Sequence, residues 1–272
     1  MILSTHGIIG SSVTVASGDA DALAFFTAAG ITDTTQKSAI NTLVTDLKTA
    51  NIWTKMKALY PFVGGTASQH KFNLKDPRDL DAAFRLTLFG GLTHDSNGMI
   101  GNGSNGYCVT NLIASTILDK DSISLSFYSR TSDTFGANSN EINLNSSYTP
   151  AGFLSLRTNN KTAGFAASAL GNDDTDGVLG SNTTSGFALS TKTGANSTRK
   201  YFKNGTLIGS NALNVSTNLQ NNSVAFLGNV TTSINSKNNC AFASIGNGLT
   251  DGEAANLYTA VQAYQTTLNR QV

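Results

Sequence analysis

Charged residues are scarce in this sequence. Asp, Glu, Lys and Arg make up 13% of its 272 residues, about half of the ~25% that is usual for soluble domains. The formal net charge is only +1, so the chain lacks the strongly basic character of proteins that bind nucleic acids or anionic membranes. We therefore expect no nucleic-acid partner and a polar surface built mainly from uncharged side chains.

Long apolar runs are missing as well. No apolar stretch approaches the ~20 residues of a membrane-spanning helix, so no insertion into a membrane is expected. The first residues, from Met1 to His6, have neither the basic region nor the unbroken apolar region of a signal peptide. We expect synthesis in the cytoplasm and, if the protein reaches an outer surface, a route such as cell lysis.

The sequence has two cysteines and three histidines. Cys108 and Cys240 match no metal-binding or redox spacing. Buried free thiols are expected, with a disulfide as the alternative if two strands bring the Cα atoms within ~6 Å. His94 lies in a turn-like segment, and His70 lies in a polar stretch where we expect it to be exposed. Because no G-x-S-x-G segment is present, a Ser or Cys hydrolase is not favoured.

What the sequence does contain is the pattern of an antiparallel β-sandwich over residues 86–272. The segment Ser122–Ser129 alternates strictly, which places its apolar residues on one face: Ile123, Leu125 and Phe127. Asn204-Gly205 stands between two alternating runs and predicts a tight hairpin. Many short strands with turn residues at this spacing favour a sandwich rather than a repeat architecture.

Helical patterns flank the sandwich. Residues 1–85 are predicted to form an N-terminal arm and a helical segment: one helix has acids such as Asp19 in its first turn and Gly30 beyond its end, Asp33 caps the next, and Asp76-Pro77 begins a third. Near the C-terminus, Thr250 and Glu253 form a capping box. It precedes an apolar stripe at helical spacing: Ala254, Leu257, Tyr258, Val261, Tyr264 and Leu268. We expect these helices to pack on the sandwich, since no linker separates the two parts.

Several segments of the β part resemble concanavalin A-like/laminin G-like jelly rolls. Asn102–Tyr107 and Ile123–Tyr128 are similar to neighbouring strands of those domains. Tyr201–Ser210 is similar to a hairpin of those domains in which a Tyr precedes an Asn-Gly turn. Leu249–Tyr258 is similar to the segment with which such domains often end. The resemblance implies a mainly β fold, a jelly-roll sandwich with an N-terminal helical segment and a C-terminal capping helix.

The helical part resembles a segment that precedes the same sandwich in tailed-bacteriophage and prophage virion proteins. The similar stretches are 19–26, 39–44, 53–65 and 74–84. The resemblance implies a non-enzymatic virion component, such as a tail, fibre, head-fibre or decoration protein, located in the virion. Expected partners are other virion proteins and further copies of the chain, as a trimer, with contact to host-surface glycans. The alternatives are a dedicated glycan-binding module and a polysaccharide depolymerase.

Depolymerase chemistry has little support in the residues. Glycoside hydrolysis needs two carboxylates at a defined separation, and the Glu-x-Asp-x-x-Glu segment of glucanases with this fold is absent. Glu141 and Glu253 are the only glutamates, and Glu253 is explained by the capping box. We therefore expect no catalytic residues and no required cofactor.

Two other features suggest ligand contacts. Asn172–Gly177 resembles the start of a calcium-binding loop, but turn chemistry favours a solvated turn; if Ca²⁺ binds there, Asp174 and Asp176 are the candidate ligands. Phe135 and Tyr148 lie in polar segments and are candidates for sugar contacts. The basic residues between Lys192 and Lys203 are predicted to lie on a solvated strand edge.

Overall fold

The computed structural model of the protein describes residues 18–131, 141–144, 151–155, 164–171, 179–180, 184–211, 219–228 and 235–272. Its helices are α1 (Ala20–Ala29), α2 (Thr34–Thr49), α3 (Ala67–His70), α4 (Ala114–Ile117) and α5 (Asp251–Thr267). Its first strands are β1 (Met56–Tyr60), β2 (Thr87–Phe89), β3 (Thr93–Asp95), β4 (Gly98–Ile100), β5 (Tyr107–Ile113), β6 (Ile123–Ser129) and β7 (Ile142–Asn143). The remaining strands are β8 (Ala151–Ser155), β9 (Gly164–Gly171), β10 (Leu179–Gly180), β11 (Gly186–Lys192), β12 (Arg199–Lys203), β13 (Thr206–Asn211), β14 (Ser223–Phe226) and β15 (Asn239–Gly246). Within these ranges, no helix combines the length and apolarity needed to cross a bilayer.

The strands form two antiparallel sheets. The first sheet has the order β13-β12-β11-β6-β15-β4-β3, with β1 also paired to β15, and the second has the order β10-β9-β8-β7-β14-β5-β2. This arrangement confirms the predicted antiparallel sandwich with a C-terminal helix. Strand β1 comes from within the segment 1–85, so this segment contributes to the first sheet as well as supplying α1 and α2. The division of the chain at residue 85 stays a prediction.

Two hydrophobic layers hold these elements together. One lies between the sheets and contains Leu125, Phe127 and Phe226. The other lies between the outer face of the first sheet and the helices, where Leu43 and Phe242 are among its buried residues. The first sheet is therefore covered on both faces, and every residue of β6 is buried. Burial of apolar area on both sides of a sheet is the main stabilising term of such a fold.

The predicted helices α1 and α2 are confirmed, as are Gly30 beyond the end of α1 and the cap at Asp33; Asp19, predicted in the first turn of α1, is its cap instead. The Asp19 carboxylate accepts the N–H of Asp21, and the Asp33 carboxylate accepts the N–H of Gln36. Gly30 ends α1 in the left-handed conformation, with φ 64°. These short-range patterns predict helix ends because the residues that satisfy them lie next to each other in the chain.

The helix predicted after Asp76-Pro77 is wrong. Only a single 3₁₀ turn forms there, at Asp81–Ala83. The side chain of Asn73 forms hydrogen bonds with the backbone of β1 and with both ends of the following loop. It accepts the N–H of Leu59 and of Lys75, and it donates to the carbonyl of Ala83. These bonds hold residues 73–83 as a loop against β1, and the Asp76 carboxylate pairs with Arg78 instead of capping a helix.

The predicted solvated edge between Lys192 and Lys203 is also wrong. Lys192, Arg199 and Lys203 are only 2%, 1% and 8% exposed. Arg199 and Lys203 share a face of β12 with Tyr201, which packs in the layer between the sheets. Lys192 is paired with Asp121 at 2.7 Å. Burial lowers the pKa of Lys203 to about 8, although the nearby Glu141 opposes this shift.

Cys108 and Cys240 are both buried free thiols, as expected. Both face the layer between the sheets. Burial raises the pKa of each thiol, so neither has the thiolate character of a reactive cysteine.

Arg270 is a buried charge close to the C-terminus, with 2% of its surface exposed. Its guanidinium donates only to oxygens of the protein. The acceptors are Gln265 Oε1 and the carbonyls of Phe62, Ser96, Pro61 and Ala241. Burial lowers the pKa of Arg270, although Tyr264 opposes the shift. The residue joins the end of α5 to β15, to the loop after β1 and to the turn between β3 and β4.

The capping box at the start of α5 is confirmed and has a further partner. Thr250 Oγ1 accepts the N–H of Glu253 at 3.3 Å, and the N–H of Thr250 donates to Glu253 Oε2 at 2.9 Å. Lys55 Nζ lies 2.6 Å from the same carboxylate. Burial alone would raise the pKa of Glu253, but the hydrogen bonds from Lys55 and Thr250 lower it. Glu253 thus ties α5 to the segment before β1.

We expect Glu253→Ala to lower the free energy of unfolding by about 1 kcal/mol, because it removes a helix cap and the Lys55 contact. Glu253→Gln keeps an acceptor for the N–H of Thr250 and removes only the charge, so its loss should be smaller. Urea denaturation at neutral pH measures both variants. An unchanged midpoint for Glu253→Ala would contradict a structural role for this carboxylate.

Candidate functional site

The outward face of β5, in the second sheet, carries side chains that are only partly covered. Residues facing the core are buried, and the alternate residues are half-buried: Tyr107, Val109, Asn111 and Ile113. Strand β2 forms one edge of this sheet and pairs with β5. The outer face of the first sheet is covered by helices, whereas this part of the second sheet is accessible to a ligand.

Two aromatic rings stack at the edge of this face. Phe89 and Tyr107 are directly paired across β2 and β5, with ring centroids 4.9 Å apart and an angle of 15° between the ring planes. Phe89 is 40% exposed, which is unusual for a large apolar side chain of this protein. Stacking fixes the orientation of both rings, so the exposed ring of Phe89 offers a flat apolar surface that is already ordered.

An asparagine-rich loop lies beside the two rings. Asn102 Oδ1 accepts the N–H groups of the following turn, from Ser104, Asn105 and Gly106. Asn102 Nδ2 then donates to Asn105 Oδ1, which also accepts the N–H of Gly91. The loop from 102 to 106, which we call the Asn loop, is therefore held rigid by its own side chains.

The close packing of the Asn loop depends on Gly90. Its φ is +64°, and a Cβ at this position would lie 1.9 Å from the carbonyl oxygen of Asn105. A side chain at residue 90 would therefore push the Asn loop away from Phe89. The glycine pair that ends β2 serves to bring the aromatic rings and the Asn loop together.

Polar groups remain available beside the rings. Among the described residues, neither Asn105 Nδ2 nor the Tyr107 hydroxyl has a hydrogen-bond partner. A flat aromatic face with a few fixed polar groups is typical of sites that bind ligands having one apolar face and a polar rim. A pyranose ring has this character, since its C–H groups form an apolar face and its hydroxyl groups surround it.

The candidates predicted from the sequence all lie outside the described residues. These are Phe135 and Tyr148 for sugar and Asp174 and Asp176 for calcium, and they stay predictions. The Phe89 site was not predicted from the sequence. The signal that could have found it is an aromatic residue next to Gly90-Gly91 and close to an Asn-rich segment, a setting as polar as that of Phe135.

His70 is buried, with 2% exposure, so its predicted exposure is wrong. Its Nδ1 lies 3.0 Å from Nδ1 of His94 on β3. The N–H of Gly65 donates to Nε2 of His70 at 3.3 Å, so Nε2 must be unprotonated and Nδ1 carries the proton that is donated to His94. A metal ion between the two rings would need both Nδ1 lone pairs, and this tautomer does not supply them.

We expect the free energy of unfolding to fall as the pH drops from about 6.5 towards 5. Burial, His94 and Arg270 lower the pKa of His70 to about 3, and burial lowers that of His94 although Asp95 opposes it. The unfolded chain has His pKa values near 6.5 and so binds more protons in this range, which costs about 1.4 kcal/mol per pH unit for each His that stays neutral. Urea denaturation at pH 7 and pH 5 measures this loss of stability. The loss should be smaller in His70→Gln, and an equal loss in that variant would show that His70 is not its source.

The described residues contain no group of three or more His, Cys, Asp or Glu side chains that could hold a metal ion. Glu141 is fully buried and its carboxylate accepts hydrogen bonds from Ser236 and Asn238. Glu253 is held in the capping box. Both glutamates are thus engaged in structural contacts. A separate cavity of about 410 Å³ between β11, β12 and the start of α5 is lined mostly by hydroxyl groups, with Lys200 and Asp251 at one side.

No family model matches this sequence, and no curated protein matches it. Among solved structures, the chain is similar to a mutant of Trypanosoma rangeli sialidase displaying trans-sialidase activity, with 10% identity and a TM-score of 0.53 over 83% of this chain and 39% of that one. It is also similar to the ligand-binding domain of botulinum neurotoxin serotype D in complex with N-acetylneuraminic acid, with 12% identity and a TM-score of 0.51 over 77% of this chain and 52% of that one. The chain thus spans about two fifths of the sialidase and half of the toxin chain. At these identities the likeness shows the shared β-sandwich fold.

Proposed function

We propose that this chain is a glycan-binding β-sandwich module that binds its ligand without chemical turnover. The observation that carries the proposal is the exposed ring of Phe89, stacked on Tyr107 and placed beside the rigid Asn loop. Phe89 would contact the apolar face of a sugar ring, while Asn105 and the Tyr107 hydroxyl would bind its hydroxyl groups. The toxin domain of the same fold was solved with N-acetylneuraminic acid, which is compatible with this function, but fold alone does not determine function.

The role in a virion rests on the sequence resemblance. A position in a phage particle, a trimeric assembly and virion partners are parts of that proposal, whereas a bound Ca²⁺ ion is proposed from the Asp-rich segment 172–177 alone. The proposed glycan-binding function does not depend on them, since its support is the surface around Phe89. A virion component that contacts host glycans would combine both.

A glycan array followed by titration calorimetry tests the proposed function. We expect the wild-type chain to bind a subset of glycans and Phe89→Ala to weaken that binding at least tenfold, which corresponds to about 1.4 kcal/mol. Phe89→Tyr keeps a stacking ring and should bind nearly as well as the wild type. Leu207→Ala is a matched control, because Leu207 is 47% exposed on the edge strand of the other sheet.

Two results would contradict the proposal. One is the absence of any selective glycan binding by the wild-type chain. The other is equal binding by Phe89→Ala and the wild type, which would move the site elsewhere. New reducing ends after incubation with a bound glycan would show turnover and would overturn the non-enzymatic part.

A further inference from the structure

A group of lysines surrounds the single tryptophan on the opposite, helical side of the protein. Trp53 is 8% exposed and lies in the 3₁₀ turn before β1. Lys75 Nζ lies 4.0 Å from the centroid of the indole, and Lys48 Nζ lies 5.4 Å from it. Cations over an indole ring are attracted by the electron-rich face of the ring, so the ring holds the ammonium of Lys75 in place and lies close to that of Lys48.

The side chain of Asn73 holds Lys57 close to Lys75: its Nδ2 donates to the carbonyl of Lys57 at 3.5 Å, and its Oδ1 accepts the N–H of Lys75 at 3.0 Å. The pairing of β1 with β15 shifts register between Met56 and Ala58, so Lys57 is the extra residue of a β-bulge. Bulges redirect a side chain away from the regular alternation of a strand. Both Lys57 and Lys48 contribute positive charge at the ammonium of Lys75.

The carboxylates nearby compensate only part of this charge. Asp19 and Asp21 pair with Lys48, at 2.7 Å and 2.6 Å. Within the described ranges, neither Lys57 nor Lys75 forms an ion pair with a carboxylate. The preceding residues, 1–17, contain no Asp or Glu that could fill the gap.

The ammonium groups of Lys57 and Lys75 repel each other, and an anion bound between them would relieve this repulsion. Lys75 is half-buried, and burial together with the charges of Lys48 and Lys57 lowers its pKa, although Asp21 opposes the shift. Like charges at short range repel, and a multiply charged anion with several acceptor oxygens relieves this repulsion while it accepts hydrogen bonds from the ammonium groups.

We propose that Lys75, held over Trp53, and Lys57 beside it form a binding site for a tetrahedral oxyanion, the sulfate or phosphate group of a small ligand. Lys48 contributes to the field of the site and keeps its own carboxylate partners. The site lies on the helical segment and is separate from the Phe89 surface, so it does not depend on the proposed glycan-binding function.

Fluorescence titration tests this site directly, because Trp53 is the only tryptophan of the chain. Sodium sulfate and sodium phosphate are added to the full chain at constant ionic strength, with sodium chloride as the reference. We expect a saturable change in Trp53 emission with sulfate or phosphate and no saturable change with chloride. Comparing the two oxyanions then distinguishes a sulfate site from a phosphate site.

Variants identify the residues. Lys75→Met and Lys57→Met should each weaken oxyanion binding about tenfold, since each removes a charged hydrogen-bond donor, and Lys75→Arg should retain binding. Lys71→Met is the matched control: Lys71 also lies over an aromatic ring, that of Phe72, but it is paired with Asp79. A response that only follows ionic strength, or wild-type affinity in both Lys57→Met and Lys75→Met, would overturn the proposal.

Discussion

Replacing Arg270 by methionine is expected to lower the free energy of unfolding by about 3–5 kcal/mol. The substitution keeps an apolar stem but removes every guanidinium donor, so buried carbonyl oxygens in three separate parts of the fold lose a partner. A buried acceptor without a donor costs about 1–3 kcal/mol. Removal of the buried charge itself offsets part of this loss, and for this reason the expected total is smaller than the sum over the acceptors of Arg270.

Urea denaturation of Arg270→Met, Arg270→Lys and Arg78→Met measures this effect. Lysine keeps the charge but cannot reach as many acceptors, so we expect an intermediate loss. Arg78 is a matched control, because its side chain is 63% exposed and its ion-pair partner is Asp76, and exposed pairs contribute about 0–1 kcal/mol. If Arg270→Met is as stable as Arg78→Met, the interpretation of Arg270 as a structural charge is wrong.

Gly98→Ala is expected to prevent folding or to lower the free energy of unfolding by more than about 3 kcal/mol. Gly98 begins β4 with φ +134°, a conformation that side chains rarely adopt. A Cβ there would lie 2.1 Å from the carbonyl oxygen of Cys240. Because Cys240 lies on β15, which also pairs with β6, the clash cannot be relieved without moving the middle of the first sheet.

Gly252→Ala provides the matched control for Gly98→Ala. Gly252 lies in the first turn of α5, and nothing lies within 4 Å of its added Cβ. Alanine in a helix is favoured over glycine by up to about 1 kcal/mol, so this variant should be slightly more stable. Thermal melting compares the two directly. A Gly98→Ala protein that melts close to the wild type would show that β4 can separate from β15 at little cost.

The sequence predicted those features that depend on neighbouring residues. The caps at Asp33 and Thr250 formed as expected because donor and acceptor are within a few positions of each other. The Asn204-Gly205 hairpin also formed, with φ values of 48° and 76° at the two residues. The alternation in β6 gave the correct strand and the correct core face.

Features that depend on distant residues were not predictable in this way. From the sequence alone, Arg270 is a charged residue in a polar C-terminal segment. Its burial depends on the carbonyls of Pro61 and Ala241, which are distant in the chain. The polar residues around His70 in the sequence predicted exposure, but His94 on β3 packs against it and it is buried. The loop after Asn73 has a good helix-start pattern, and only the backbone of β1 explains why Asn73 overrides it. The Phe89 surface was missed for the same reason, since its partner loop follows more than ten residues later in the sequence.

The position of β15 has a consequence for the order in which the protein can be assembled during translation. This strand lies between β6 and the pair of β4 and β1, yet it is made after almost all of the chain: Ser126 and its hydrogen-bond partner Ser244 are 118 residues apart. While the ribosome adds the intervening residues, β6 and β1 each have an open edge where β15 will pair. Open edges invite pairing with other chains, and nascent chains with late long-range contacts are exposed to this for longer. Chaperone binding during synthesis should therefore persist until residues 239–246 have left the ribosomal tunnel.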